Sequence, residues 1–395
     1  MRSPDSSPPL NVLVFTPTPT HPQTQGNRQR VFDMCRAMQG MGADITMLHY
    51  ATEGVSAAAV RQMREAWGDI ELVFPSGFVH RRSFVNHFGV DDWFDDKIAA
   101  VAESLLQNKQ FDVCMVNYAW YSKLFEVLPR DVVRIIDAHD VFGGRAEYFA
   151  QIGLDPEWFH TSIEQESVGL DRADFVLAIQ EQEAEILRAR TRSPVHPVGF
   201  LEADGFLPLR KRAPGDRLVV GYIGSGNPFN VACMRVFAEE LKTRPELRSR
   251  IEVRLAGKVC SAFERVPHPF TLVGVVDSVV DFYRSVDVMI NPMRGGTGLK
   301  IKSQEALSSG KPFVASADAM TGIPATHPGH QFENNTAILD QLMLLAERPE
   351  LLADEARISR ATFTAHRRVQ TDAFLRFWAD VVTAARSRRP EMVMS

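Results

Sequence analysis

Short apolar runs alternate with longer helical patterns along the first half of the chain. Val12–Phe15 is such a run, and a proline-rich loop at residues 16–19 ends it. After Gly26, apolar residues recur at helical spacing as far as Gly40. Further short apolar runs lie at residues 45–50, 112–117, 132–136 and 175–179. Strand-length runs separated by helical stretches are typical of a parallel sheet with helices on its faces, so we expect a Rossmann-like α/β domain.

The same pattern begins again near the middle of the chain. Residues 201–216 interrupt it with glycine, prolines and a basic cluster, Arg210–Arg212. We interpret this segment as a solvated linker and hinge between two domains. A strand-like run at Leu218–Ile223 follows, and then a Gly224–Gly226 turn and a helical pattern. Later strand-like runs lie at residues 251–256, 271–273, 286–290 and 312–315.

These patterns predict two doubly wound domains and two terminal segments. Residues 11–205 and 206–370 are the expected Rossmann-like domains, and the polar, proline-rich residues 1–10 predict a disordered tail. Phe374, Phe377 and Trp378 form an apolar stripe at helical spacing. This stripe indicates that residues 371–395 form a helix that packs back on the first domain.

Composition excludes several classes of protein. The net charge of -5 gives no reason to expect a nucleic acid partner. No apolar run approaches the roughly 20 residues that span a bilayer, although peripheral contact with a membrane stays open. The four cysteines are far apart in apolar segments, which favours reduced thiols in a cytoplasmic protein over a disulfide framework. Because the chain has no Asp-x-Asp motif and no His/Asp/Cys cluster at ligand spacing, we expect no metal.

A glycine-rich loop between a strand and a helix carries the strongest chemical signal. It follows Ile290, contains three glycines and two lysines, and leads into a helix near Ile301. Glycine lets backbone N–H groups approach a diphosphate closely, and a helix N-terminus attracts anions. Glu305, about one turn further on, is placed to accept hydrogen bonds from ribose hydroxyls. The expected contacts to a nucleoside-diphosphate sugar are Gly224, Arg294, Gly295, Gly296, Thr297, Gly298, Leu299, Lys300, Lys302 and Glu305.

An ordinary strand-to-helix turn, with solvated lysines that Glu305 balances, is the alternative for this loop. The order of a glycine-rich turn, Glu305-Ala306 on a helix and then Gly310-Lys311-Pro312 resembles the donor site of the GT-B glycosyltransferases, specifically the retaining family-4 enzymes. The resemblance extends over most of the chain. It implies two Rossmann-like domains that face each other across a deep cleft, with the sugar nucleotide bound there.

Two departures from the family pattern limit what the resemblance implies. Where the family commonly has a first glutamate, this chain has Thr297, which leaves the donor sugar unassigned. The Arg and Lys that many members place after the second domain's first strand are missing from residues 224–228. We therefore assign the phosphate charge to Lys300 and Lys302, with Arg294 as a further candidate.

In the first domain, His139 lies just past the strand-like run 132–136, where open α/β sheets present groups to ligands. By the resemblance, His139 matches a histidine that faces the transferred sugar. The alternative is a structural histidine that is hydrogen-bonded to Asp137 or Asp140.

Other first-domain residues are candidates for contact with an acceptor. Gly26, Asn27 and Arg30 resemble the family's glycine loop near the acceptor and the leaving phosphate, and a solvated helix start is the alternative. Aromatic residues after the run 112–117 are placed either to stack on an acceptor or to pack the domain edge; they are Tyr118, Trp120 and Tyr121. We interpret Glu183 as part of a polar helix start.

The resemblance implies transfer of a glycosyl group from a nucleoside diphosphate to a hydroxyl with retention of configuration. His139, Lys302 and Glu305 are the expected catalytic residues, and a phosphate oxygen takes the acceptor proton. No cofactor beyond the donor is required in this scheme. The acceptor stays open among a glycan, a lipid-linked molecule and a small molecule. A sugar-nucleotide epimerase and a non-catalytic binding subunit are alternatives on the same fold.

Overall fold

The computed structural model describes residues 8–23, 25–75, 77, 82–151, 158–213, 215–295, 300–325 and 327–389. The chain divides into two compact units. Unit 1 comprises the described residues up to Leu201 and those from Gln370 onward, and unit 2 comprises the described residues of Glu202–Val369. The sequence predicts these change-overs at 205/206 and 370/371.

In its described part, unit 1 contains one sheet of seven parallel strands. The strands are β1 Asn11–Thr16, β2 Asp44–Tyr50, β3 Asp69–Val73, β4 Val113–Asn117, β5 Val133–Asp137, β6 Phe175–Ala178 and β7 Val195–Pro197. Their order across the sheet is β3-β2-β1-β4-β5-β6-β7. The helices are α1 Gly26–Gly40, α2 Ala57–Trp67, α3 Asp96–Asn108, α4 Arg145–Gln151, α5 Ile163–Leu170 and α6 Glu181–Arg188, with a 3-10 helix at Ala119–Val127.

The described part of unit 2 contains five parallel strands in the order β10-β9-β8-β11-β12. They are β8 Leu218–Ile223, β9 Ile251–Ala256, β10 Phe270–Gly274, β11 Val288–Asn291 and β12 Phe313–Ala315. The helices are α7 Pro228–Lys242, α8 Pro245–Arg250, α9 Val279–Arg284, α10 Ile301–Ser308, α11 Asn335–Glu347 and α12 Leu351–Arg388. Three 3-10 helices lie at Lys258–Ala262, Asp318–Met320 and Pro328–His330. The prediction of two doubly wound α/β domains is confirmed.

The central strands of unit 1 are apolar on both faces because both faces are covered. In β1, Leu13 and Phe15 belong to one core, whereas Val12 and Val14 belong to the core on the opposite face. Side chains alternate between the faces of a strand, so a strand buried on both sides appears as a continuous apolar run. This explains why the short runs in the sequence identify the strands.

The end of α12 contributes to the second of these two cores. From Gln370 the helix belongs to unit 1. Its Phe374, Phe377 and Trp378 are buried together with residues of α1 such as Met34. The aromatic stripe near the end of the chain therefore packs on the sheet of unit 1.

The basic segment before β8 is packed rather than solvated. Arg210 donates two hydrogen bonds of 2.9 Å to the carboxylate of Asp287, which is buried. Leu207 is buried, and its N–H donates to the carbonyl of Ser309. The interpretation of residues 201–216 as a solvated hinge is therefore wrong for its middle part, which belongs to the packing of unit 2.

Each sheet has one place where the strand order reverses. In unit 1 it lies between β1 and β4, and in unit 2 between β8 and β11. The connections that leave neighbouring strands there run in opposite directions, which opens a crevice at the carboxyl ends of the strands. Ligands of open α/β sheets bind in such crevices. Among the described helices, none is both long and apolar enough to cross a membrane.

Candidate functional site

In unit 2, a buried hydrogen-bond chain anchors the start of α10 to the end of β11. Asn291 Nδ2 donates to Ser303 Oγ at 2.9 Å, and Ser303 Oγ donates to the carbonyl of Ala319 at 2.6 Å. Asn291 and Ser303 are both buried. The N–H groups of Ser303 and Gln304 donate to the carbonyl of Lys300, so the first turn is closed as well as anchored. The positive end of the helix dipole, which attracts anions, is thereby fixed at the crevice.

The predicted donor loop is described only at its two ends. Gly296, Thr297, Gly298 and Leu299 lie outside the described residues. Gly295 has a left-handed backbone, with φ of 66°, and its N–H donates to Asp318 Oδ2 at 2.8 Å. A carboxylate of the same unit thus holds the Gly295 amide, and contact of this residue with the diphosphate stays a prediction. Arg294 is exposed, and its N–H donates to Cys233 Sγ at 3.4 Å.

Lys300, Lys302 and Glu305 lie together over the cap and the first two turns of α10. Lys300 is buried, and the other two side chains are partly buried. Burial lowers the pKa of Lys302, and the like charge of Lys300 adds to this effect against the opposing charge of Glu305. The two cations are thus held close together at a helix N-terminus, an arrangement that a bound anion would stabilise.

A second carboxylate, Glu202, accompanies Glu305. Burial raises the pKa of Glu305 to about 7, and the charge of Glu202 contributes to the rise. Burial also raises the pKa of Glu202 to about 7, although Ser308 Oγ donates to its Oε1 at 3.0 Å. Both carboxyl groups therefore take up protons near neutral pH, where an ordinary glutamate is fully ionised.

The segment after unit 1 explains how Glu202 reaches this position. The N–H of Gly205 donates to the carbonyl of Ser308 at the end of α10, at 3.0 Å. The hydroxyl of Tyr283 is buried beside the two carboxyl groups and has no hydrogen-bond partner among the described residues. Sequence patterns gave no signal for Glu202 or Tyr283, because neither belongs to a motif and both become relevant only through packing.

Gly224 lies at the end of β8, beside the turn that follows β9. Its N–H donates to the carbonyl of Ala256 at 3.0 Å, and its own carbonyl accepts from Val259. A Cβ at Gly257, which has φ of 87°, would collide with the Gly224 carbonyl. The glycine pair thus allows two backbone segments to approach closely. A direct donor contact from Gly224 remains a prediction.

In unit 1, two non-glycine residues with left-handed backbones lie at the ends of neighbouring strands. Tyr118 follows β4 with φ of 73°, and His139 follows β5 with φ of 63°. Each such residue costs about 1–3 kcal/mol, and the strain persists only where surrounding structure enforces it. Their rings stack with centroids 4.3 Å apart. Strained residues of this kind concentrate at functional sites, so this pair marks the crevice of unit 1.

The hydrogen bonds of His139 define its tautomer. Its Nε2 lies 2.7 Å from Asn117 Oδ1, and Asn117 Nδ2 donates to the carbonyl of Phe15 at 2.7 Å. Because the amide is oriented by Phe15, Nε2 must carry the proton and donate it to Asn117. Burial lowers the pKa of His139 to about 4, so the ring is neutral at pH 7 and Nδ1 is an acceptor. Asp137, at 3.5 Å from Nε2, is a secondary neighbour.

Arg30 forms a buried ion pair with Asp137. Its Nε and Nη2 donate to Asp137 at 2.7 to 3.0 Å, and its Nη1 donates to the carbonyls of Val198 and Gly199. Both charged side chains are fully buried. The prediction that Arg30 contacts an acceptor is therefore wrong. Arg30 instead holds Asp137 at the end of β5, next to the residues that position His139.

The predicted aromatic contacts are buried as well. Tyr118, Trp120 and Tyr121 are each at most 2% exposed. His139 covers one face of Tyr118, and Trp120 stacks on it at 4.5 Å. The prediction that these rings stack on an acceptor is therefore wrong. Asn27 and Gly26 are partly buried at the start of α1, and Asn27 Nδ2 lies 3.5 Å from the Tyr118 hydroxyl, so their acceptor role stays a prediction.

Glu183 is more than a polar helix start. It is buried at the third position of α6, and its Oε2 has no hydrogen-bond partner among the described residues. Burial and the charge of Asp140 raise the pKa of Glu183 to about 8. At neutral pH it is therefore mainly a neutral carboxylic acid. Among the described residues, no group of three or more His, Cys, Asp or Glu is arranged to hold a metal ion.

Comparison with known proteins agrees with the fold of unit 2. Residues 217–356 match the family described as glycosyl transferases group 1. These residues form most of unit 2 and include β8, β11 and α10. The resemblance to GT-B glycosyltransferases is confirmed in the fold, and unit 2 contains a domain of the glycosyl transferases group 1. No curated protein matches the chain in sequence.

Solved structures share the fold over nearly the whole length at low sequence identity. Sucrose-phosphate synthase from Thermosynechococcus elongatus is 12% identical, with a TM-score of 0.67 over 95% of this chain and 100% of that one. TarM from S. aureus, in complex with fondaparinux, α-GlcNAc-glycerol and UDP, is 11% identical, with a TM-score of 0.64 over 94% and 99%. HepE from Anabaena, in complex with UDP-glucose, is 12% identical, with a TM-score of 0.62 over 94% and 100%. These likenesses establish the GT-B fold.

The buried ion pair of unit 1 gives a prediction for stability. Arg30→Ala should lower the free energy of unfolding by about 3–5 kcal/mol, because it leaves Asp137 buried without its cation. Arg28→Ala on the same helix is the matched control, because Arg28 pairs with the exposed Glu53 at 3.0 Å and should cost less than about 1 kcal/mol. Urea denaturation of both variants measures the difference. Equal losses would contradict the structural role of Arg30.

Proposed function

We propose that the chain transfers a glycosyl group from a nucleoside-diphosphate sugar to a hydroxyl acceptor, with retention of anomeric configuration. The observation that carries this proposal is the anchored start of α10, which places Lys302 and Glu305 one turn apart at the carboxyl end of β11 in a group 1 domain. The HepE and TarM structures hold UDP. UDP is therefore the first nucleotide to test.

On the donor side, each charged residue takes one part of the nucleotide. Lys300 and Lys302, with the first N–H groups of α10, stabilise the diphosphate as it leaves. Glu305 in its ionised form accepts hydrogen bonds from the two ribose hydroxyls. Lys300, Lys302 and Glu305 all belong to α10 or its cap, so the helix fixes the spacing between the two cations and the carboxylate.

The transfer step breaks the bond between the anomeric carbon and the diphosphate oxygen and forms a bond to the acceptor oxygen. The acceptor proton passes to an oxygen of the departing phosphate, so that attack and departure occur on one face of the sugar. That geometry gives retention. The donor is the only small molecule that the scheme requires, since the lysines supply the countercharge.

His139 acts as a neutral hydrogen-bond acceptor toward a hydroxyl of the transferred sugar. Its Nε2 proton is given to Asn117, which leaves the Nδ1 lone pair for a substrate. A site built to bond a hydroxyl discriminates strongly against molecules that lack it. His139 therefore orients the donor sugar rather than moving a proton.

We also infer that the protein works in the cytoplasm. All four cysteines are free and buried. Burial raises the pKa of the Cys35 and Cys114 thiols, which keeps them protonated and unreactive. Thiols used as core residues suit a reducing compartment.

Nucleotide binding tests the donor assignment. One of UDP, GDP, ADP and dTDP should bind, and Lys302→Ala or Glu305→Ala should weaken its binding about tenfold or more, because each removes a charged hydrogen-bonding group. Lys242→Ala and Glu239→Ala are matched controls, since these residues form an exposed pair at the end of α7 and should leave affinity unchanged. Isothermal titration calorimetry measures all five proteins. Failure of every nucleotide to bind would remove the donor site.

The pKa of Glu305 gives a pH prediction. Since this pKa is about 7, UDP should bind more tightly as pH rises through 7, when the carboxyl group becomes an acceptor for both ribose hydroxyls. Glu202→Gln removes a charge that raises this pKa, so the midpoint should move to lower pH. Glu305→Gln should lose the part of the pH dependence that the ionisation of Glu305 provides, while Glu202 and the nucleotide's own phosphate still titrate. A pH profile of Glu305→Gln identical to that of the wild type would contradict the assignment.

Turnover tests His139. His139→Gly fits the left-handed backbone and should reduce turnover with UDP-sugar by about tenfold to a hundredfold, while UDP affinity changes little. Thermal unfolding of the same variant establishes that it remains folded. Turnover within twofold of the wild type would exclude His139 from the reaction.

A further inference from the structure

Unit 1 contains a column of stacked aromatic rings that ends at His139. His139 and Tyr118 stack at 4.3 Å, Tyr118 and Trp120 at 4.5 Å, and Trp120 and Phe159 at 4.3 Å, with interplanar angles of 20° to 26°. All four residues are buried. The column therefore presents no free ring face of Tyr118 or Trp120 to a substrate.

Trp158 packs perpendicular to the rings of this column and is partly open to solvent. Its ring is perpendicular to Tyr118 at 5.4 Å and to Trp120 at 5.3 Å. Its carbonyl lies 2.8 Å from the Nδ1 of His160, whose side chain is mostly buried. Trp158 is 43% exposed, whereas the other tryptophans are buried or partly buried. The indole of Trp158 thus contacts the ring of Tyr118, which in turn stacks on His139, and part of the indole surface is open.

A pair of charged side chains borders the same rings. Asp140 accepts a hydrogen bond from Arg145 at 3.1 Å, and both side chains are partly exposed. The Arg145 guanidinium lies 4.8 Å from the centre of the Phe142 ring, which Trp158 also contacts. The indole thus packs against aromatic rings that include Phe142, and the hydrogen-bonding pair of Asp140 and Arg145 reaches the same Phe142 ring through the Arg145 guanidinium.

We propose that Trp158 is a stacking platform for the acceptor, and that the acceptor carries a pyranose ring, as in a glycoside or glycan. This inference rests on the proposed glycosyl transfer and narrows its acceptor class. A pyranose ring has an apolar face of C–H groups and a rim of hydroxyls. The C–H face matches the indole surface, while the rim matches Asp140 and Arg145. An acyl chain could pack on the indole but would offer no hydrogen-bonding groups to Asp140 and Arg145.

Saturation-transfer NMR on the full chain tests the platform with defined probes. Methyl β-D-glucopyranoside presents the axial protons of C1, C3 and C5 on one face, and these protons should receive saturation from the protein. Sorbitol carries similar hydroxyls without a ring and should receive much less. The signal should fall about threefold to tenfold in Trp158→Ala and persist in Trp158→Phe, because an aromatic face is the feature that matters. Ile186→Ala, at a residue 42% exposed on α6, is the control and should retain the signal.

Three results would overturn the inference. They are equal saturation of sorbitol, an unchanged signal in Trp158→Ala, and stronger saturation of 1,2-hexanediol than of the glycoside, which would assign the platform to an acyl chain. A UDP titration of the same samples separates this inference from the proposed function. UDP binding without glycoside stacking removes the platform alone, whereas glycoside stacking without binding of any nucleoside diphosphate leaves the platform and removes the transferase assignment.

Discussion

All described strands run parallel to their neighbours, and this arrangement determines where ligand-binding groups can lie in each unit. In a parallel sheet all carboxyl ends lie at one edge, and a reversal of strand order opens a crevice there. The start of α10 follows β11 at the reversal of one sheet, and Tyr118 follows β4 at the reversal of the other. The hydrogen bonds of Asn291 and Ser303 then fix the start of α10 at this edge of the sheet.

Burial sets the charge of the residues at these edges. In unit 1 it lowers the pKa of His139 to about 4 and holds the ring neutral, and in unit 2 it raises the pKa of Glu202 and Glu305 to about 7. Arg30, by contrast, keeps its charge in the interior because Asp137 pairs with it, and this ion pair has a structural role. We therefore propose substrate contact for His139 Nδ1 in unit 1 and for the start of α10 in unit 2.

Local patterns predicted the fold class, the strand-to-helix turn of the donor site and the position of His139, because each depends on residues close together in the sequence. Long-range packing decided the rest. Arg30 meets Asp137 across more than a hundred residues, and a helix start gives no sign that its arginine will be buried. Glu183 was interpreted as a polar helix start, and Trp158 belongs to no motif. Their roles depend on which neighbours cover them, which sequence periodicity does not record.

The central claim is that the start of α10 binds a nucleoside diphosphate, and hydrogen exchange tests it at the residues concerned. Peptides covering residues 300–308 should exchange more slowly when UDP is added, because a bound diphosphate would cover the start of the helix and restrain its opening. Peptides from β2 and α2 of unit 1 should be unchanged. Saturating UDP with no protection at 300–308, or with protection confined to other segments, would contradict the account.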